Sequence, residues 1–199
     1  MTRVLLVRHA MCDPVGHRLA GRMPGISLNA DGRLQAERLA RRFAGANIAA
    51  VYTSPLDRAR ETATAIATHV HVEPAELSGL TEIDFGLWTG CTFEELAPVA
   101  EWQRFNLHRS TTRVPGGELM LEAQARAVSA VESLRARHPD ETIVAVSHSD
   151  MIKAVLTHYA GMSLDNLLRI DIEPASVSIL SLTPWGDRIV RTNDTGTLL

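Results

Sequence analysis

Met1-Thr2-Arg3-Val4-Leu5-Leu6-Val7-Arg8-His9 opens the chain with four consecutive apolar residues, Val4 to Val7, that stop at a charged pair. The run has no polar alternation, so it reads as a strand buried on both faces, as strands are in a parallel sheet covered by helices. Such sheets assemble their chemistry at the carboxyl ends of their strands, which singles out Arg8 and His9.

Working outward, a loop punctuated by Gly16, Gly21, Pro24 and Gly25 leads through Asn29-Ala30-Asp31-Gly32 to a helix predicted over 33–43, where Leu34, Leu39 and Phe43 recur at helical spacing. Residues 48–53 read as a second strand, and 56–70 as a second helix packing through Ala59, Ala63, Ile66 and Ala67. The middle, 73–115, is irregular, with turn signals at Gly79, Gly86, Gly90 and Pro98 and one short helix over 93–105; it reads as a lid-like insertion over the site. A long helix over 119–137, a strand over 142–146 and a helix over 151–160 ended by Gly161 follow. Residues 177–182 and 188–191, separated by Pro184-Trp185-Gly186-Asp187, form a terminal hairpin, and 177–182 is a candidate edge strand for pairing two copies into a homodimer. Alternating strands and helices predict a single domain over 1–199: an α/β fold, a three-layer α/β/α sandwich with a mostly parallel central sheet.

Composition narrows the function. With 45% hydrophobic residues, 22% charged residues and a formal net charge of −3, the chain carries no global basic field to gather nucleic acid or an anionic membrane. Cys12 and Cys91 form no CxxC pair, which argues against a disulfide framework or a thiolate zinc cluster and favours a reducing cytoplasm. The opening apolar run is too short for a signal peptide, and no later run approaches the roughly 20 residues of a membrane span. A soluble, cytoplasmic protein is the expectation.

Phosphoryl transfer needs a nucleophile, fixed positive charge around the phosphoryl oxygens and a proton for the leaving group. Three predicted strand ends offer such parts: Arg8-His9; Ser54-Pro55-Leu56-Asp57-Arg58-Ala59-Arg60, with Arg58 and Arg60 in a helix's first turn; and Ser147-His148-Ser149. Each alone is an ordinary surface or core feature. Together they lie where an α/β fold builds a site.

The strings Leu6-Val7-Arg8-His9-Ala10, Ser54-Pro55-Leu56-Asp57-Arg58-Ala59-Arg60-Glu61-Thr62-Ala63, Leu80-Thr81-Glu82-Ile83-Asp84-Phe85-Gly86, Pro115-Gly116-Gly117-Glu118 and Val146-Ser147-His148-Ser149-Asp150 resemble, in order, those of histidine phosphatases, the phosphoglycerate mutase-like family. Leu19 to Gly25 and Ser147 to Val155 look most similar to a bacterial subgroup named as phosphomutases. The resemblance implies that His9 accepts the phosphoryl group, that Arg8, Arg58 and His148 hold its oxygens, and that Glu82 is the general acid and base. The residues beside Glu82, namely Leu80, Ile83 and Phe85, supply the desolvation that raises a carboxyl pKa.

The pattern is departed from in places. Ala10 replaces the family's usual Gly, Met11-Cys12 its usual Glu-Thr, and Val15 stands nearest the position of an expected phosphate-binding Asn. Cys12, Arg22 and Ser149 are therefore candidate substrate contacts, with Asp13 and His17 as further ones, each equally readable as structural or solvated. Only Arg104, His108, Arg109 and Arg113 between Phe93 and Pro115 offer a clamp for a substrate carboxylate, and Trp88, Phe93, Trp102 and Phe105 are candidate lid aromatics. The resemblance thus implies a metal-independent phosphomonoester hydrolase acting on a small phosphorylated metabolite through phosphohistidine, without cofactor. The alternatives are a phosphomutase using the same site and a non-catalytic phosphate-binding protein. A metal-dependent hydrolase using His9, His148, Glu82 and Asp150 has no HxH, HExxH or DxD spacing to support it.

Overall fold

The computed structural model describes residues 1–196. One six-stranded sheet runs through it, built from β1 (Thr2–Arg8), β2 (Ala50–Thr53), β3 (Pro74–Glu76), β4 (Thr142–Ser147), β5 (Val177–Leu182) and β6 (Arg188–Asp194) in the order β3-β2-β4-β1-β5-β6. The pairs among β3, β2, β4 and β1 are parallel, and β5 and β6 add antiparallel strands beyond β1. Helices α1 (Ala30–Arg42) and α2 (Asp57–Val70) cover one face, meeting Leu5, Val7, Val144 and Val146. Helices α5 (Met120–Arg137) and α6 (Ser149–Tyr159) cover the other, meeting Val4, Leu6, Ile143 and Ala145. Consecutive residues of β1 thus enter opposite cores, which is why its sequence shows no alternation. The protein is a three-layer α/β/α sandwich.

Local chemistry sets the boundaries. α1 starts three residues before the periodicity suggested, because the Asn29 side chain accepts the Gly32 N–H at 2.8 Å and caps the first turn. The single helix expected over 93–105 is two: α3 (Phe93–Leu96), opened by a Thr92/Glu95 capping box, and α4 (Ala100–Leu107), with Pro98 between them. Two expectations need correction. The segment over the site begins after 76 rather than at 73, since β3 pairs with β2; Pro74-Ala75-Glu76 is short, half exposed and without β-branched residues, and a proline is tolerated on an edge. The strand over 177–182 is not an edge: it lies between β1 and β6, so the open edges are β3 and β6. No helix of the described residues is long and apolar enough to cross a membrane.

Candidate active site

Register brings the chemistry together. β1 and β4 pair Val7 with Val146 and Arg8 with Ser147, and β2 pairs Thr53 with Val146, so His9, Ser54 and His148 follow directly from three adjacent parallel strands. The His9 N–H donates to the Ser147 carbonyl at 2.9 Å and the Ser54 N–H to that of Val146 at 2.9 Å, extending the ladder by one residue on each side. His148 immediately precedes α6 and Arg58 lies in the first turn of α2, so two helix amino termini face the same place and favour an anion there.

The hydrogen bonds fix both histidine tautomers. His9 Nδ1 lies 2.7 Å from the Ala10 carbonyl oxygen, which can only accept, so Nδ1 carries the hydrogen and Nε2 the lone pair. Arg58 Nε donates to that Nε2 at 3.3 Å. Arg58 Nη2 donates to Gly21 O at 2.8 Å and to His148 Nδ1 at 3.2 Å, so His148 carries its hydrogen on Nε2 and donates to Ser54 Oγ at 2.8 Å. His9 and His148 are 5% and 0% exposed, and burial, then the Arg58 charge, pushes both well below the usual imidazole range. Both rings are neutral at physiological pH, so His9 Nε2 keeps the lone pair of a nucleophile, held in the ligand-free protein by Arg58 Nε.

Two buried guanidinium nitrogens point to an anion. Arg58, 2% exposed, leaves Nη1 without a partner, and Arg8, which donates to Ile172 O at 2.5 Å through Nη1, leaves Nε without one. Burial lowers the pKa of both arginines, though neither gives up its charge. Unmet donors of a buried cation are costly unless a ligand accepts from them.

Glu82, 12% exposed, lies opposite. Its pKa is pushed up to about 7, first by burial and then by the nearby Asp150 carboxylate, against the pull of Arg58. Leu80, Ile83 and Phe85 beside it are buried, as their sequence suggested. Oε1 accepts the Ile83 N–H at 3.0 Å, which leaves Oε2, 4.0 Å from His148 Nδ1, as the oxygen to hold a proton.

These groups open on a cavity of about 320 Å³. Arg8, His9, Arg58 and Glu82 form its floor, with Cys12 and Ser149 at the sides; His148 lies fully buried behind Arg58. Burial raises the Cys12 thiol pKa, so it stays protonated. Val15 lines the cavity too, where the family pattern led one to expect a polar donor. Phe93, Trp102 and Leu168 supply an apolar wall, while Trp88 and Phe105 stack behind them in the core. Several sequence candidates lie elsewhere. Arg22 does not line the cavity: its Nε donates to Glu82 O at 2.8 Å and its Nη2 to Glu118 Oε2 at 2.8 Å. Asp13 is exposed and accepts from Asn29, His17 is exposed, and Arg60 pairs with Asp57 and Glu76 on the surface. Of the four basic candidates between Phe93 and Pro115, only Arg109 lines the cavity. It is 3% exposed, lies over the Phe105 ring, and donates to Asp150 Oδ2 at 2.6 Å and Asn106 Oδ1 at 2.8 Å. Among the described residues, no group of three or more metal-ligating side chains forms a metal site. The Arg109–Asp150 pair and the Ser54 support of His148 were not singled out from sequence: 41 and 94 residues separate the partners, and no local pattern links them.

The family model described as the histidine phosphatase superfamily (branch 1) matches residues 4–195. Phosphoserine phosphatase 1 of Hydrogenobacter thermophilus is 29% identical, over 98% of this chain and 93% of its own length. Among solved structures, Bacillus stearothermophilus YhfR superposes with a TM-score of 0.91 at 28% identity, covering 98% of each chain. A mutant phosphoserine phosphatase from Entamoeba histolytica, in complex with phosphoserine, superposes with a TM-score of 0.90 at 26% identity over the full length of both.

Proposed function

The chain belongs to the histidine phosphatase superfamily, and from that membership we propose a phosphomonoester hydrolase of small phosphorylated metabolites in which His9 carries the phosphoryl group. One observation carries the assignment: the His9 Nε2 lone pair sits beside two buried guanidinium groups with unmet donors and opposite a carboxyl protonated near neutrality. The phosphoryl oxygens take the free Arg8 Nε and Arg58 Nη1 hydrogens, and Arg58 turns from the histidines to the ligand. With a dianion bound, His148 gains the charge it lacks in the free protein and becomes a further donor.

His9 Nε2 attacks phosphorus as the bond to the leaving oxygen breaks, and Glu82 Oε2 gives that oxygen its proton. The Ala10 carbonyl, accepting from Nδ1, stabilises the charge that the ring acquires. Water then attacks the phosphohistidine, passing its proton to the Glu82 carboxylate; the N–P bond breaks and phosphate leaves. A carboxyl titrating near 7 suits both its acid and its base step. Hydrolysis is favoured over a mutase reaction because the relatives are named as phosphatases and the charge of Arg109, the cavity's buried lid cation, is already met by Asp150. The substrates of the two phosphoserine phosphatases make phosphoserine the first compound to try. A cytoplasmic setting belongs to the same proposal, supported by the free thiols of Cys12 and Cys91.

The test is phosphate release from a panel of phosphorylated metabolites with EDTA present, alongside His9→Ala. Chelator-resistant release that drops by at least ~1000-fold in the variant is expected. Undiminished turnover in His9→Ala would remove the nucleophile, and chelator-sensitive turnover would remove the metal-free reaction.

A further inference from the structure

The mechanism leaves Pro115-Gly116-Gly117-Glu118 without a part, although the segment is bound closely to the loop that bears Glu82. A Cβ on Gly117 would stand 2.2 Å from the Asp84 carbonyl oxygen, so only glycine allows this approach. Two backbone hydrogen bonds strap the segments together: Glu118 N–H to Asp84 O at 3.0 Å, and Leu87 N–H to Pro115 O at 2.9 Å. The Glu118 carboxylate also accepts the Asp84 N–H at 2.9 Å.

That carboxylate is the hub of a wider set of contacts. It accepts from Arg22 Nη2 at 2.8 Å and from Arg126 Nε and Nη2, each at 3.1 Å. The two arginines then spend their other hydrogens on the main chain around the acid. Arg126 donates to Gly79 O at 3.0 Å, Thr81 O at 2.6 Å and Glu82 O at 3.0 Å, and Arg22 Nε donates to Glu82 O at 2.8 Å. Two parts of the fold, the loop after β1 and α5, therefore donate to one carbonyl, that of Glu82, while Glu118 from the segment before α5 ties the two arginines together. None of the three side chains lines the cavity. Burial works against the Glu118 charge, yet the bonds from Arg126 and the Asp84 N–H hold its pKa below the usual carboxylate range, so the hub stays anionic.

We propose that Arg22, Glu118 and Arg126 form a clamp that positions Glu82 for proton transfer to the leaving oxygen. The inference rests on Glu82 being the general acid, and the clamp residues touch neither substrate nor phosphoryl group. A proton donor displaced by 1 Å loses much of its effect, so a general acid on an otherwise irregular loop needs such rigid support. In the phosphorylation step, which kcat/KM reports free of the later base step, positioning of the acid matters only where the leaving group needs a proton, and that separates this role from mere support of the fold.

The experiment compares p-nitrophenyl phosphate, whose leaving group departs unprotonated, with an alkyl phosphate, whose leaving group does not. Arg126→Met and Glu118→Gln should lower kcat/KM on the alkyl phosphate by roughly 10- to 100-fold while changing kcat/KM on p-nitrophenyl phosphate by less than about 3-fold, with Arg126→Lys recovering part of the loss. Adding Arg126→Met to Glu82→Gln should cost the alkyl phosphate reaction nothing further, because the acid is already gone. An equal fall on both substrates, or additive losses in the double variant, overturns the clamp. If Arg126→Met does not fold, the same comparison is read on Glu118→Gln and on the partly exposed Arg22→Met. A wild type whose Glu82→Gln variant shows no leaving-group dependence would remove the acid itself, a separate failure from that of the clamp.

Discussion

The floor of the cavity and its lid-side wall both contain a buried arginine, and the two are treated in opposite ways. On the floor, Arg58 is surrounded by neutral imidazoles and a carboxyl that is half protonated at neutral pH, and one of its nitrogens has no partner. In the wall, Arg109 also leaves one nitrogen, Nε, without a partner, but its charge is met by Asp150, which is held below the usual carboxylate range: burial opposes ionisation, but the Arg109 and Lys153 charges outweigh it. The floor is therefore electrostatically incomplete and fits a dianion from outside. The wall is balanced in charge and shapes what accompanies the dianion.

The largest effect is expected at Arg58. Arg58→Met removes a donor to the phosphoryl oxygens common to every substrate, so kcat/KM should fall by roughly 100- to 1000-fold with the ranking of a phosphomonoester panel preserved. Its stability to urea should stay within about 1 kcal/mol of wild type or rise, since an uncompensated buried charge is replaced by an apolar chain. A variant that reorders the substrates, or that unfolds, would place Arg58 among the structural residues of the wall instead.

Asp150→Asn is the converse substitution. It leaves Arg109 buried without its counter-charge, and a loss of about 3–5 kcal/mol in urea unfolding is expected. The double variant Arg109→Met/Asp150→Asn should recover most of that loss and change the preference among leaving groups, because the cavity wall has become apolar and neutral. If the double variant is no more stable than Asp150→Asn alone, the pair is not the self-contained unit that the distances describe.

The difference between floor and wall also governs what the sequence discloses. β1 is legible because both faces of the sheet are covered, and Arg8, His9 and His148 because strand ends are where this architecture gathers polar residues. Glu82 reads from its residues alone as a solvated loop acid and is singled out only by the family pattern, although its apolar neighbours Leu80, Ile83 and Phe85 do enter the core. All of these are local properties of a strand or loop. The wall is not local: Arg109 follows a short helix that Pro98 separates from its predecessor, and its partner begins α6. Arg126 is harder still, because an arginine within a long amphipathic helix reads as one of its solvated residues until the chain's return brings Gly79 to Glu82 beside it. Arg22 shows the converse error, a cation in a glycine-rich loop that suggested substrate and instead binds the acid's main chain. β3 has three residues and a proline, too little pattern to separate from the irregular segment after it.

The smallest expected effect joins the two regions. After burial, the Asp150 charge is the main influence raising the Glu82 pKa, so the wall tunes the floor's acid without touching substrate phosphate. Removing that charge in Asp150→Asn should lower the Glu82 pKa from about 7, and the protonated acid would then be lost at lower pH. Phosphorylation by the alkyl phosphate needs that proton and phosphorylation by p-nitrophenyl phosphate does not, so the ratio of their kcat/KM values against pH isolates Glu82 of the free enzyme from the ionisation of the histidines. In wild type the ratio should fall as pH rises through about 7, and in Asp150→Asn the fall should move toward acid, by less than the full displacement because burial remains. A fall that stays in place would assign the raised pKa to desolvation alone, and one that moves toward base would overturn the repulsion between the Asp150 and Glu82 carboxylates.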